Sequence, residues 1–154
     1  MMKKLLKNRN MKSTLLKMVV SVLALAAISF SGCNGDEPTV QEKTEALLVS
    51  AEWNKPVVTV DGVDQSDMYS NFTIKFIKGT YTSAGGGPLW PTTGTWTFKD
   101  ETASVLILDG NKEVQINEIT ETALELAVQN DNTTFISGRT QSIKGKNVFK
   151  LKKK

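Results

Sequence analysis

The sequence predicts an all-β domain, a small antiparallel meander β-barrel of about eight strands preceded by a short N-terminal helix. Three observations carry this prediction. Short segments of alternating or β-branched residues recur at even spacing between Val57 and Leu151. Turn signals separate them, Asp109-Gly110 being the strongest and Asp61-Gly62 a second. After the first helical stretch no further helical segment interrupts the series, which disfavours parallel βαβ units. Closing such a meander into a barrel removes its exposed edges, although a two-sheet sandwich fits the same strand pattern.

Residues 1–32 have the three parts of a secretory signal. Lys3, Lys4, Lys7, Arg9, Lys12 and Lys17 are the only charged residues there, and all are positive. An apolar run of thirteen residues, 18–30, follows, which is short of the ~20 needed to cross a bilayer as a helix. Phe30-Ser31-Gly32-Cys33 closes the run and looks like a bacterial lipobox, with Phe30 where Leu is more usual. On this reading residues 1–32 are removed and the Cys33 side chain carries a diacylglycerol. The chain is then exported and held by lipid in the cell envelope, at the outer membrane or the cell surface. Met11-Lys12-Ser13 is itself a normal signal start, so translation from Met11 fits as well as from Met1.

A lone Cys is more often a small buried hydrophobe. Cys33 instead adjoins polar Asn34-Gly35-Asp36-Glu37, where no core forms, and as the only Cys it has no disulfide partner in the chain. Loss of the leader leaves 122 residues, enough for one core. It also leaves 13 basic against 16 acidic side chains, a net charge of −3, so the basic character of the full chain belongs largely to the leader. Only Lys150, Lys152, Lys153 and Lys154 cluster. A solvated tail is the plainer account of them, contact with acidic lipid headgroups the weaker one. A nucleic-acid partner is not expected.

Residues 33–38 read as the lipidated Cys and a short polar tether, and residues 39–154 as the barrel domain. The tether is short enough to keep the domain close to the membrane. Thr39-Val40-Gln41-Glu42 is a capping-box pattern that starts a helix running to about Val49, with Ala46, Leu47 and Leu48 expected to face the domain. Strands are then expected at 57–60, 72–76, 80–83, 95–98, 105–108, 114–119, 124–128, 133–136 and 148–151. Their alternation places Trp53, Phe72, Ile74, Phe76, Trp96, Phe98, Leu106, Leu124, Leu126 and Phe149 inward. That is much bulk for short strands, so the barrel is expected to be partly filled, with at most a shallow pocket at one end.

Glu52-Trp53 after a short helix, Val58-Thr59-Val60-Asp61-Gly62, Phe72-Thr73-Ile74-Lys75-Phe76 and Gly94-Thr95-Trp96-Thr97-Phe98 together resemble the lipocalin-like domains of Bacteroidota-type lipoproteins. The resemblance covers roughly residues 45–151. In the lipocalin Gly-x-Trp signature, Ala51 stands here where Gly would be. The resemblance implies a barrel whose opening admits a small apolar ligand. Acidic Asp36 and Glu37 loosely resemble a surface-export signal of such lipoproteins.

The chain has no His, and its one Cys is assigned to lipidation, so neither a Ser-His-Asp nor a Cys-His device can be built. Zinc sites of the usual kind lack ligands too. Asp61, Asp64 and Asp67 recur every three residues, but without a calcium-loop pattern they read as solvated turn residues. The expectation is a protein that is not an enzyme and has no metal or cofactor. The Gly85-Gly86-Gly87-Pro88-Leu89-Trp90-Pro91 segment is no phosphate loop. Leu89 and Trp90 either form a lid or contact patch at the barrel mouth or pack down as a plug, and the apolar area of Trp favours the plug.

The first expected function is a lipid-anchored barrel that binds a small apolar or amphipathic molecule, with Trp53, Phe72, Phe76, Trp90 and Trp96 lining or covering the site. The alternative is a module at the envelope that binds a protein or glycan.

Overall fold

The computed structural model describes residues 37–132 and 142–154. The leader, Cys33, Asp36 and the strand expected at 133–136 lie outside the described residues. Helix α1 spans Val40–Val49. Both halves of its capping box form: the Glu42 amide donates to Thr39 Oγ1 at 3.2 Å, and the Thr39 amide donates to Glu42 Oε2 at 2.7 Å. Leu48 is buried and Leu47 half-buried, but Ala46 is exposed. The expected facing of Ala46 is thus corrected. At 100° per residue, three consecutive residues cannot share one face, and the inward stripe is Gln41, Thr44, Glu45 and Leu48 instead.

The strands are β1 (Glu52–Val60), β2 (Val63–Asp64), β3 (Thr73–Ile77), β4 (Thr80–Ala84), β5 (Thr93–Phe98), β6 (Val105–Leu108), β7 (Lys112–Ile119), β8 (Ala123–Asn130) and β9 (Gly145–Lys153). Every neighbouring pair is antiparallel, and β1 pairs with β9. The result is a closed antiparallel barrel of eight strands, β1 and β3 to β9, with β2 folded back on the end of β1. A 3-10 turn, Ser66–Tyr69, links β2 to β3. Helix, strands and core all fall in one compact unit, Pro38–Lys154, which therefore has what it needs to fold alone.

The turn chemistry follows the sequence. Asp109 and Gly110 have φ of 51° and 81°, and Asp61 and Gly62 have 48° and 83°. These are the left-handed pairs that a two-residue hairpin needs. Both Asp side chains also hold a neighbouring strand. Asp61 Oδ1 accepts from the Lys146 amide at 2.8 Å, and Asp109 Oδ1 accepts from the Thr95 amide at 2.9 Å. β1 is longer than expected because Pro56 sits in a bulge between Asn54 and Val57, where its missing N–H costs no ladder bond. The bulge turns Val57 outward and Val58 inward.

Side chains fill the barrel interior. Trp53, Tyr69, Phe72, Ile74, Phe76, Tyr81, Leu106, Leu108, Leu124, Leu126 and Phe149 are fully buried, and Phe98 packs against them half-buried. Each large apolar side chain taken out of water contributes about 1.5–3 kcal/mol. Helix α1 lies across one end. Glu45 pairs with Lys78 at 3.6 Å, Gln41 Nε2 donates to the Asp100 carbonyl at 2.9 Å, and Trp53 Nε1 donates to the Leu48 carbonyl at 3.0 Å. The opposite end gathers the β1–β3, β4–β5 and β6–β7 connections.

Tyr81 covers Gly94 on the paired strand, where a Cβ would lie 2.5 Å from the Tyr81 ring and 2.3 Å from Asp109 Oδ1. The Tyr81 hydroxyl donates to Asp109 Oδ2 at 2.9 Å. Burial, then the hydrogen bond to Asp109 and its negative charge, push the Tyr81 pKa well above its ordinary value near 10. The folded state thus holds this proton more tightly than the unfolded chain does. The resulting stabilisation is full below the unfolded pKa and is lost as pH rises past it toward the folded value. Urea unfolding from neutral pH to about pH 11 should therefore show a steeper alkaline decline in wild type than in Tyr81→Phe. Equal slopes would remove Tyr81 as the cause.

Candidate functional site

All five aromatic residues expected to line a site lie in the core: Trp53, Phe72, Phe76, Trp90 and Trp96 are at most 3 % exposed. They separate by what their polar atoms do. The Trp53 indole N–H is used at the helix end, on the Leu48 carbonyl. Trp96 Nε1 donates to the carbonyls of Ile77 and Thr80 at 2.8 and 2.9 Å, which ties it to the β3–β4 turn. Its ring stands edge-on to Phe76 at 5.9 Å and to Phe98 at 5.3 Å. Trp90 Nε1 is buried and has no hydrogen-bond partner among the described residues.

Trp90 belongs to the end opposite helix α1. The β4–β5 connection turns Leu89 and Trp90 down into the barrel, so the segment is a plug rather than an open lid. The Trp90 ring packs on Phe72 at 5.7 Å and edge-on to Phe149 at 5.5 Å, and Tyr69 stands against Phe149 at 4.9 Å. Gly86 makes this entry possible: a Cβ there would sit 2.3 Å from Trp90 Cβ and 3.0 Å from the Phe72 ring. The Trp90 amide donates to the Gly86 carbonyl at 3.3 Å, and Ser83 Oγ donates to the Pro91 carbonyl at 2.8 Å.

Lys112, the first residue of β7, completes this mouth. Its ammonium donates to the Leu89 carbonyl and lies 5.9 Å from the Trp90 ring centroid, within cation–π range. Burial lowers its pKa, and the negative charge of Asp109 opposes that shift. Both Asp109 oxygens already accept bonds, from Thr95 and Tyr81, and no carboxylate of the described residues forms an ion pair with Lys112. Sequence reasoning missed Lys112, since nothing marks it beyond its place after a turn. It also missed Tyr69, whose 3-10 turn has no strand alternation to reveal it.

Two depressions open on the outer wall. One, of about 420 Å3, is lined by Val105, Glu113, Gln115, Ala127, Val128, Gln129 and Lys146. The other, of about 270 Å3, lies between Lys55, Val57, Glu118, Ala123 and Lys150. Of the acidic triplet, Asp61 holds β9, Asp64 accepts from the Ser66 hydroxyl at 2.6 Å, and Asp67 lies in the 3-10 turn. Among the described residues no group of His, Cys, Asp and Glu is arranged to hold a metal ion. No helix among them is long and apolar enough to cross a membrane. No protein-family model matches this chain, and no curated protein matches it.

Proposed function

We propose that this protein is a lipid-anchored envelope lipoprotein whose barrel binds a small apolar or amphipathic molecule at the end closed by Leu89 and Trp90, without catalysing a reaction. The anchor is the Cys33 diacylglycerol read from the sequence. One observation supports the binding reading above all. The plug carries a buried indole N–H with no acceptor among the described residues, while the indoles of Trp53 and Trp96 are fully engaged. An unmet buried donor costs about 1–3 kcal/mol, so the Trp90 indole is held less firmly than those of Trp53 and Trp96. Phe72 and Phe149 are the apolar walls that remain when Trp90 moves. Phe76, Trp53 and Trp96 then support the site from beneath.

A second reading, a packed barrel that offers its outer wall to a protein or glycan, is favoured by the filled interior and by the Gln115, Gln129 and Lys146 depression. Native mass spectrometry on residues 34–154, purified without detergent, separates the two. A discrete adduct lost on denaturation supports the carrier and identifies its ligand by mass. A bare protein mass, repeated after incubation with envelope lipid extract, favours the outer-wall reading and directs the search to crosslinked partners.

A further inference from the structure

We infer that the plugged end takes an amphipathic molecule with an acidic head, its apolar body replacing Leu89 and Trp90 between Phe72 and Phe149 and its head bonding to the Lys112 ammonium. This rests on the carrier reading above and adds the chemical class of the ligand and the residue that selects it.

Lys112 and the plug are coupled in the closed barrel, because the ammonium donates to the carbonyl of Leu89. It also faces the Trp90 ring at 5.9 Å. Both of these acceptors belong to the segment that must move. When Leu89 and Trp90 leave, Lys112 loses its carbonyl and its π face together. It is then a half-buried cation at the rim of an apolar hole, with no carboxylate of the described residues paired to it. Asp109, whose negative charge acts on it, has both oxygens committed to Thr95 and Tyr81. Replacing a neutral carbonyl by an anionic oxygen at the same ammonium makes the bond charge-assisted and stronger. A neutral amphiphile offers the cation at most a neutral acceptor, no stronger than the carbonyl it replaces.

Three glycines, at 85–87, precede the plug. Gly85 and Gly87 have φ of 67° and 57°, so the backbone already adopts conformations in which glycine is nearly free of strain. The plug leaves an interior whose remaining walls, Phe72, Phe149 and Tyr69, are aromatic. The room vacated is about the bulk of one indole and one isobutyl group, which suits a short alkyl chain or a single ring.

The test uses residues 34–154 with octanoate and octan-1-ol, which share a chain and differ in the head. Calorimetric titration at neutral pH should find octanoate bound about tenfold tighter, the difference that one charge-assisted bond supplies. Lys112→Met keeps the side chain's apolar stem and should erase that preference, octanoate and octan-1-ol then binding within about twofold of each other. Lys112→Arg should restore it. Equal affinities in wild type, or a preference that survives Lys112→Met, overturns the assignment of Lys112 and leaves the carrier reading standing. Failure of both probes to bind wild type and Trp90→Ala, with each protein shown to be folded by circular dichroism, takes down the carrier reading and this inference together.

Discussion

Replacing Trp96 by Ala is expected to remove about 3–5 kcal/mol of stability, the usual cost of emptying a buried Trp site. Three features of Trp96 place it at the high end. Its ring is nearly fully buried, at 3 % exposure. It joins Phe76 and Phe98 in an edge-on chain that runs from β3 to β5. Its N–H serves the carbonyls of Ile77 and Thr80, so the substitution also takes a donor away from the exposed β3–β4 turn. Domains of this size are stable by only about 5–15 kcal/mol, so one such loss moves the urea midpoint far or leaves the chain unfolded at 37 °C. Trp96→Phe keeps the ring contacts and loses the bonds, and should cost about 1–3 kcal/mol. Equilibrium urea unfolding checks both. A loss below about 1 kcal/mol for the Ala variant would mean that Trp96 is not a structural keystone. A variant that stays folded but no longer takes up the ligand would make Trp96 a lining residue after all.

Trp90 should behave differently, although it is as buried as Trp96. Its removal also removes an unsatisfied donor, which offsets about 1–3 kcal/mol of the loss from the emptied space. The contrast between the two indoles is the energetic basis for placing a binding event at Trp90 and not at Trp96.

Much of this architecture is legible in the sequence, because local rules govern it. Period-two alternation alone puts Phe72, Ile74 and Phe76 inside, and they are inside. Thr39 and Glu42 announce a helix start that forms with both of its bonds. Each Asp-Gly pair marks a turn because few other dipeptides tolerate two positive φ angles in succession. The candidate site is less legible, for a physical reason. Which side chain meets which across strands depends on strand tilt and stagger, and those are set only when β1 closes on β9. Tyr81 over Gly94 with Asp109, and Lys112 on Leu89, are contacts of this kind. No spacing in the chain predicts them. Alternation assigned Trp53 and Trp96 to the inner face but carried no information on where their N–H groups point. The Ala46 error has a simpler origin, since a run of apolar helix residues is not a helix face.

Cys33→Ala is expected to abolish acyl labelling and to release or mislocalise the protein, the largest effect of any single substitution in this chain. The argument is one of lengths and chain numbers. The apolar run of 18–30 has thirteen residues, well short of the ~20 that span a bilayer. The described residues contain no helix able to span in its place. On the proposed reading, stable attachment comes from the Cys33 lipid. A single acyl chain gives only marginal, reversible binding at about 0.8 kcal/mol per buried CH2, whereas a diacylglycerol supplies two chains at once. Without the Cys33 sulfur there is no thioether to carry them, and the lysines at 150 and 152–154 offer only about 1 kcal/mol each at an anionic surface, weakened by salt. Labelling with an alkyne fatty acid, followed by membrane fractionation in high salt, distinguishes the contributions. Label and membrane fraction lost together in Cys33→Ala assign the anchor to the lipid. A variant that loses the label but stays with membranes in high salt overturns the lipobox reading and implicates the apolar run itself.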